Sequence, residues 1–146
     1  MEWDEFVGAA KASSWVTYLG TIDTVGLPHV AVVAPGFTPG SAWFATRRTS
    51  KKFRNLETNP AAAFHWPVSN PDAPGEVIAR GSARIHGSPE DRVRLWNAGV
   101  LPYDMSGFFG SPENEDVVFV EVEIEVARLL GPDFVPRRWI RSDQMR

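Results

Sequence analysis

Cysteine is missing from all 146 residues. Its absence removes disulfides, thiolate metal sites and cysteine nucleophiles from consideration. Long apolar runs are missing as well: no stretch approaches the ~20 residues that a membrane-spanning helix needs, so no membrane partner is expected. The opening residues, MEWDEFVG, are acidic and lack the basic-then-apolar profile of a secretion signal, which leaves the cytoplasm as the default compartment. A surplus of positive charge is absent too, since 15 Lys and Arg stand against 18 Asp and Glu. Non-specific nucleic-acid binders usually carry that surplus, and no nucleic-acid partner is expected. There is no G-x-S-x-G elbow, no P-loop and no G-x-G-x-x-G. The three histidines, His29, His65 and His86, fall on three separate predicted strands without short ligand spacing. No metal site is expected from them.

What is present is concentrated in one stretch, WFATRRTSKKFRNLETNP, residues 43–60. It reads as a strand over Trp43 to Thr46, a tight turn, and a short helix. A hydroxyl from Thr49 or Ser50 can cap that helix by accepting a free N–H of the first turn. Phe53 and Leu56 share one helical face, and Asn59-Pro60 ends it, because the residue before proline avoids helical geometry. Arg47, Arg48, Lys51 and Lys52 crowd the turn. Cations at a helix N-terminus oppose the macrodipole. An anion there reverses the balance, because free N–H groups, hydroxyls and cations converge on it. Phosphate binding and a solvated basic turn both remain open on these residues alone. The acidity of the rest of the chain makes the cluster stand out and suits a small phosphorylated ligand.

Along the chain, residues 2 to 12 predict a helix from the spacing of Trp3, Phe6, Val7 and Ala10. Residues 14 to 23 and 27 to 34 form a hairpin pattern around Thr24-Val25-Gly26. Pro35, Gly36, Pro39 and Gly40 read as a turn. The run AAAFHW, residues 61–66, predicts a strand whose small residues admit another backbone or a flat ligand. A proline-rich loop over residues 67–75 leads into a strand from Glu76 to His86, with Val77, Ala79, Gly81, Ala83 and Ile85 on one face. Ser88-Pro89 starts a helix that carries Val93, Leu95 and Trp96. Residues 101 to 115 read as a loop with exposed Tyr103, Phe108 and Phe109. Residues 116 to 126 alternate, with Val118, Val120, Val122, Ile124 and Val126 inward and Phe119, Glu121, Glu123 and Glu125 on a solvated face. Trp66 and Trp139 are candidates to stack on a bound ring. The sum is six mainly antiparallel strands and three helices, a barrel or sandwich. It forms one domain over residues 1–146, in which residues 131–146 are a polar, basic tail.

At Thr46, Ser50-Lys51-Lys52, Asn55-Leu56 and Asn59-Pro60, the sequence resembles the pyridoxamine 5′-phosphate oxidase-like family of FMN-binding split β-barrels, which includes flavin/deazaflavin oxidoreductases. The likeness runs over roughly residues 3 to 130, in motif and in element order. It implies a mainly β fold, a six-stranded antiparallel split barrel with flanking helices. It also implies a homodimer with cofactors in clefts between the subunits. The cofactor would be FMN or the 8-hydroxy-5-deazaflavin coenzyme. Thr46, Ser50, Lys51 and Lys52 would take its phosphate, with Arg47 as helper, and Glu76 stands where the family often has an amide near the flavin ring. AAAFHW, Phe108 and Phe109 would take an interface or substrate-pocket role. Two departures count against vitamin B6 oxidation itself. The second strand, LPHVAVVA, lacks the family's Arg and Lys, and Arg137-Arg138-Trp139-Ile140-Arg141 matches its C-terminal segment poorly.

The expected activity is hydride transfer between the bound cofactor and a small substrate. The cofactor carries the chemistry, so no catalytic acid or base is nominated. A protein of the same fold that holds flavin or haem without turnover is the alternative. A barrel that binds nucleic acid through stacking aromatics is a third class, disfavoured by the net charge.

Overall fold

The computed structural model describes residues 1–67 and 75–144. The expected proline-rich loop, apart from its two end residues, lies outside the described residues, as do the last two residues of the tail.

Helix α1 (Trp3–Ser13) is followed by strands β1 (Thr17–Ile22) and β2 (Pro28–Val33), then β3 (Gly36–Thr38) and β4 (Ser41–Arg47). Helix α2 (Lys51–Thr58) leads to β5 (Ala61–Trp66) and β6 (Glu76–His86). Helices α3 (Pro89–Ala98) and α4 (Ser106–Phe109) precede β7 (Val117–Leu130), β8 (Pro136–Ile140) and a last turn, α5 (Arg141–Gln144). All pairings are antiparallel, in the order β2-β1-β5-β6-β7-β4-β3, with β8 added to β7. No helix among the described residues is long and apolar enough to cross a membrane.

The sheet has two strands more than the sequence suggests. The expected turn at Gly36 forms β3 against β4, and the expected tail contributes β8. Each has a tertiary cause. Gly36 lies against the Val100 carbonyl, and a Cβ there would stand 1.7 Å from that oxygen, so only glycine admits the approach. Trp139 on β8 is buried beside Trp3 of α1, ring centroids 4.9 Å apart. Burial of that size outweighs the polar neighbours.

β7 is the spine. One edge pairs with β6 along its length. The other is shared, by β4 up to Glu123 and by β8 from Val126 onward. Arg141 bridges the gap between those two strands, donating from Nε to Ile124 O at 2.8 Å and from Nη2 to Gly40 O. Between Arg80 and Gly81 the β6–β7 register shifts, so that Arg80 faces Val126 while Gly81 faces Ile124. Glu125 is the extra residue of this bulge. Such an insertion flips the faces that follow it. Ala127 and Leu129 therefore point into the core, while Val126 is only half-buried. Ile85, expected on the same face as Val77 and Ala79, is exposed, whereas those two are buried.

Among the described residues there are two apolar cores. The first fills the barrel, with Phe6, Leu19, Phe44, Phe64, Trp66 and Val120 among its buried members. Trp66 and Trp139 belong to it; at 1% and 4% exposed they are not available to stack on a ligand ring. The second lies on the other face of β4 and β7, under α3 and α4, and holds Trp43, Leu95, Leu101, Met105, Val117 and Phe119. It explains why Phe119 is buried although it alternates with glutamates: that face is covered where β7 begins and open where the glutamates follow. Tyr103 and Phe109 pack against this second core, and Phe108, 65% exposed, is the one aromatic of the segment that stays outside.

Candidate functional site

The β4–α2 junction is built as the sequence suggests. Thr46, the last buried residue of β4, donates from Oγ1 to Ser50 Oγ at 2.8 Å. Ser50 is the N-cap of α2 and accepts Phe53 N–H at 3.2 Å. Because Ser50 Oγ accepts both bonds, its own O–H remains free to donate outward. Ser50 N–H closes the turn on Arg47 O at 3.0 Å. With the Phe53 N–H satisfied by the cap, the N–H groups of Lys51 and Lys52 are left at the helix start, where no intrahelical acceptor exists. Phe53 and Leu56 anchor the helix in the interior. Asn55, also buried, donates from Nδ2 to Thr21 Oγ1 at 3.0 Å and ties the helix to β1.

The four cations separate into two pairs. Arg47 pairs with Asp116 at 3.3 Å, donates to Phe108 O at 2.8 Å, and lies over the Phe109 ring. Arg48 donates to Glu115 O at 2.9 Å and to Gly87 O at 2.8 Å. Both arginines thus brace the turn against the start of β7 and the segment around α4. Lys51 and Lys52 remain at the helix start. Lys51 Nζ is 4.0 Å from Asp23 Oδ2, in the β1–β2 turn. Asp23 is held below the usual carboxylate range chiefly by the backbone N–H of Leu27, with Val25 N–H and Lys51 adding to it. Lys52 has no carboxylate within ion-pair reach among the described residues, and burial pushes its ammonium below 10.5. A helix start with free N–H groups, a capping hydroxyl and a half-buried cation in its first turn has the groups that a cradle for an anion needs.

Glu76 is not brought to this cradle within one chain. It stands opposite Leu130 at the far end of β7, where Arg128 reaches it at 3.8 Å, whereas Thr46 stands opposite Val118. About 40 Å of strand separates the two at ~3.3 Å per residue.

The outward face of the sheet carries two adjoining clefts that the sequence does not mark. One, of about 550 Å³, runs from Thr21 and Ile22 past Asn59 and Pro60 to Ala61, Ala63 and Ser82. The other, of about 750 Å³, continues across Tyr18, His65 and Ile78 to Arg128 and Arg138. They share Gly20, Ala63 and Arg80. Ile22, which borders the first cleft, directly precedes Asp23, so the hairpin end lies between this face and the start of α2. The exposed alanines of β5 are the small residues singled out in AAAFHW. Arg80, Arg128 and Arg138 lie far apart in sequence and meet only through strand register. No spacing rule could have found them, though the alternation of β6 does place Arg80 off the core face.

Among the described residues, no group of three or more His, Asp or Glu is placed to hold a metal ion.

The chain is a mainly β, antiparallel split barrel with a capped basic turn at the start of its second helix. The chain belongs to the pyridoxamine 5′-phosphate oxidase family, whose model matches residues 4–131. No curated protein matches it. Among solved structures it is similar to a pyridoxamine 5′-phosphate oxidase-related, FMN-binding protein of Nostoc punctiforme PCC 73102, with TM-score 0.71, 17% identity, and coverage of 100% of this chain and 94% of that one. It is also similar to a heme-binding protein of Mycobacterium smegmatis, with TM-score 0.73, 19% identity, and coverage of 93% and 57%. An F420 reductase follows at TM-score 0.54 and 23% identity, covering 75% and 86%. At these identities the likeness shows the fold.

Proposed function

We propose that this single-domain chain is a cytoplasmic homodimeric oxidoreductase that uses FMN or the deazaflavin coenzyme and transfers hydride to or from a small substrate. The observation that carries this reading is Lys52: a half-buried ammonium, without a carboxylate partner among the described residues, beside the open start of α2. Burial disfavours the charged form of this lysine, and a phosphate would offset that. The residues fit the group. Thr46 orients Ser50, and the Ser50 hydroxyl, the N–H groups of Lys51 and Lys52 and the Lys52 ammonium hold the phosphate. Arg47 acts indirectly, by bracing the turn. When bound, the flavin or deazaflavin supplies the hydride-accepting ring. Gly20, Ala61 and Ala63 give a flat, small-residue surface that admits close approach of a ring and excludes water from it.

A second copy is supported by two features. β2 is a sheet edge whose outward Val30 and Val32 are 64% and 55% exposed, a form of surface that invites pairing. Glu76 and the cradle stand at opposite ends of β7, an arrangement in which a cofactor that touches both can draw them from different subunits.

The test is a visible spectrum of the purified protein, then titration with FMN and with the deazaflavin coenzyme. Saturable binding of either, lost in Lys52→Ala, upholds the reading; a colourless protein that binds neither overturns it. The non-catalytic alternative is favoured by one observation, the exposed His65 in the larger cleft. A Soret band on titration with haemin that is lost in His65→Ala, together with failure to bind either flavin, would establish it.

A further inference from the structure

The larger cleft is strongly cationic at one end. A row of outward side chains crosses five strands in register: Tyr18 opposite His65, His65 opposite Ile78, Ile78 opposite Arg128, and Arg128 opposite Arg138. Arg80 stands one row away, opposite Val126. Arg80, Arg128 and Arg138 therefore line one wall of a space of about 750 Å³. Like charges directly opposite each other weaken a sheet, so Arg128 beside Arg138 works against the fold. Neither Arg80 nor Arg138 has a carboxylate within ion-pair reach among the described residues. Arg128 has only Glu76, at 3.8 Å, and its Nε is buried without a hydrogen-bond partner. A buried donor left unmade costs stability. The floor beside the arginines is Gly20 and Ala63, with the Tyr18 and His65 rings along the row.

We propose that this cleft takes a small aromatic acid, with its carboxylate against Arg80, Arg128 and Arg138 and its ring along the Tyr18–His65 row. Planar guanidinium donors match a carboxylate two bonds at a time, and the volume lies within the range of small-molecule sites. Calling this acid the substrate rests on the oxidoreductase reading; its binding does not. The site is distinct from the cradle at Ser50 and Lys52.

Fluorine NMR titration of the full chain with fluorobenzoate, and with fluorobenzamide as its uncharged counterpart, tests the assignment. Fluorobenzoate is expected to bind at least about tenfold more tightly, as charge-assisted bidentate pairing requires. The double variant Arg80→Gln, Arg138→Gln loses that preference and keeps its thermal stability, because removing opposed like charges does not harm the sheet. Equal binding of acid and amide, or an unchanged preference in the double variant, overturns the proposal. So does a change of oligomeric state in the double variant on sedimentation, which would mean that a second copy neutralises the arginines. If fluorobenzoate binds as stated while neither FMN nor the deazaflavin coenzyme binds, the acid site stands and only the cofactor reading falls.

Discussion

Lys52 and Asp23 set the electrostatics of the cradle from opposite sides. Burial lowers the Lys52 pKa from 10.5 in the protein without ligand. Below its folded value both the folded and unfolded chains hold the proton, and the cost of the buried charge is fully present. As pH rises through the folded value towards 10.5, the folded chain sheds its proton first and that cost is relieved. Unliganded stability gains from this lysine across that window. Phosphate affinity moves the other way, because the neutral amine no longer attracts the anion. Cofactor affinity, followed by fluorescence across alkaline pH, is expected to fall before 10.5 is reached in the parent. In Lys52→Arg it holds through the same window, since a guanidinium keeps its proton above about 12. Asp23 lies 4.0 Å from Lys51 and competes with an incoming phosphate for it. Asp23→Asn keeps an oxygen for the Leu27 and Val25 N–H groups and removes the charge. A gain in cofactor affinity of about twofold to fivefold is expected, the scale of an exposed ion pair; a loss in the same titration would place Asp23 among the binding groups.

Helix α2 and the bulge of β7 opposite Arg80 and Gly81 are the elements on which the site hangs. Ser50 and Ser88 cap α2 and α3 with the same geometry, each accepting the N–H three residues on, at 3.2 and 3.1 Å. Replacing either by Ala is expected to cost about 1 kcal/mol. Calorimetry should find the two losses similar, while only Ser50→Ala lowers cofactor affinity, because only that hydroxyl faces the anion. Gly81 holds the bulge against the Glu123 carbonyl, and a Cβ there would stand 1.9 Å from its oxygen. The backbone cannot yield as a flexible side chain would, so Gly81→Ala should destabilise the chain by about 2–3 kcal/mol. The bulge also sets which residues of β7 face outward beyond Glu123, so this variant disturbs the arginine wall together with the fold. Denaturant unfolding reads the first effect and fluorobenzoate binding the second.

For the whole molecule, the question is what covers the outward face of β1 and β2. Val32 on the edge strand is the most direct probe. Val32→Lys places a charge where a second copy is expected to pack, and edge charges block strand and face pairing. Sedimentation of the parent should give a dimer, and that of the variant a monomer that has lost most of its cofactor affinity while its circular dichroism is unchanged. A parent that sediments as a monomer and still binds FMN tightly would remove the second copy from the site.

The sequence by itself determined the elements whose causes are local. Ser50 and Ser88 stand where caps must stand, Asn59-Pro60 stops α2, and the limits of β5 and β6 coincide with those read from AAAFHW and from residues 76–86. Alternation and the capped basic turn were legible because they depend on residues within a few positions of one another. Only the tertiary structure decided the rest. β3 exists because Gly36 admits a distant carbonyl, and β8 because Trp139 finds Trp3 across the chain. Phe119 is buried by a second core that α3 and α4 lay over it. The four cations of the turn are one cluster in sequence and two in space, since Arg47 and Arg48 find partners in the segments that precede β7 and α3. Arg80, Arg128 and Arg138 are scattered in sequence and become one wall through register. Local chemistry can be read along the chain, whereas convergence depends on which strands lie side by side.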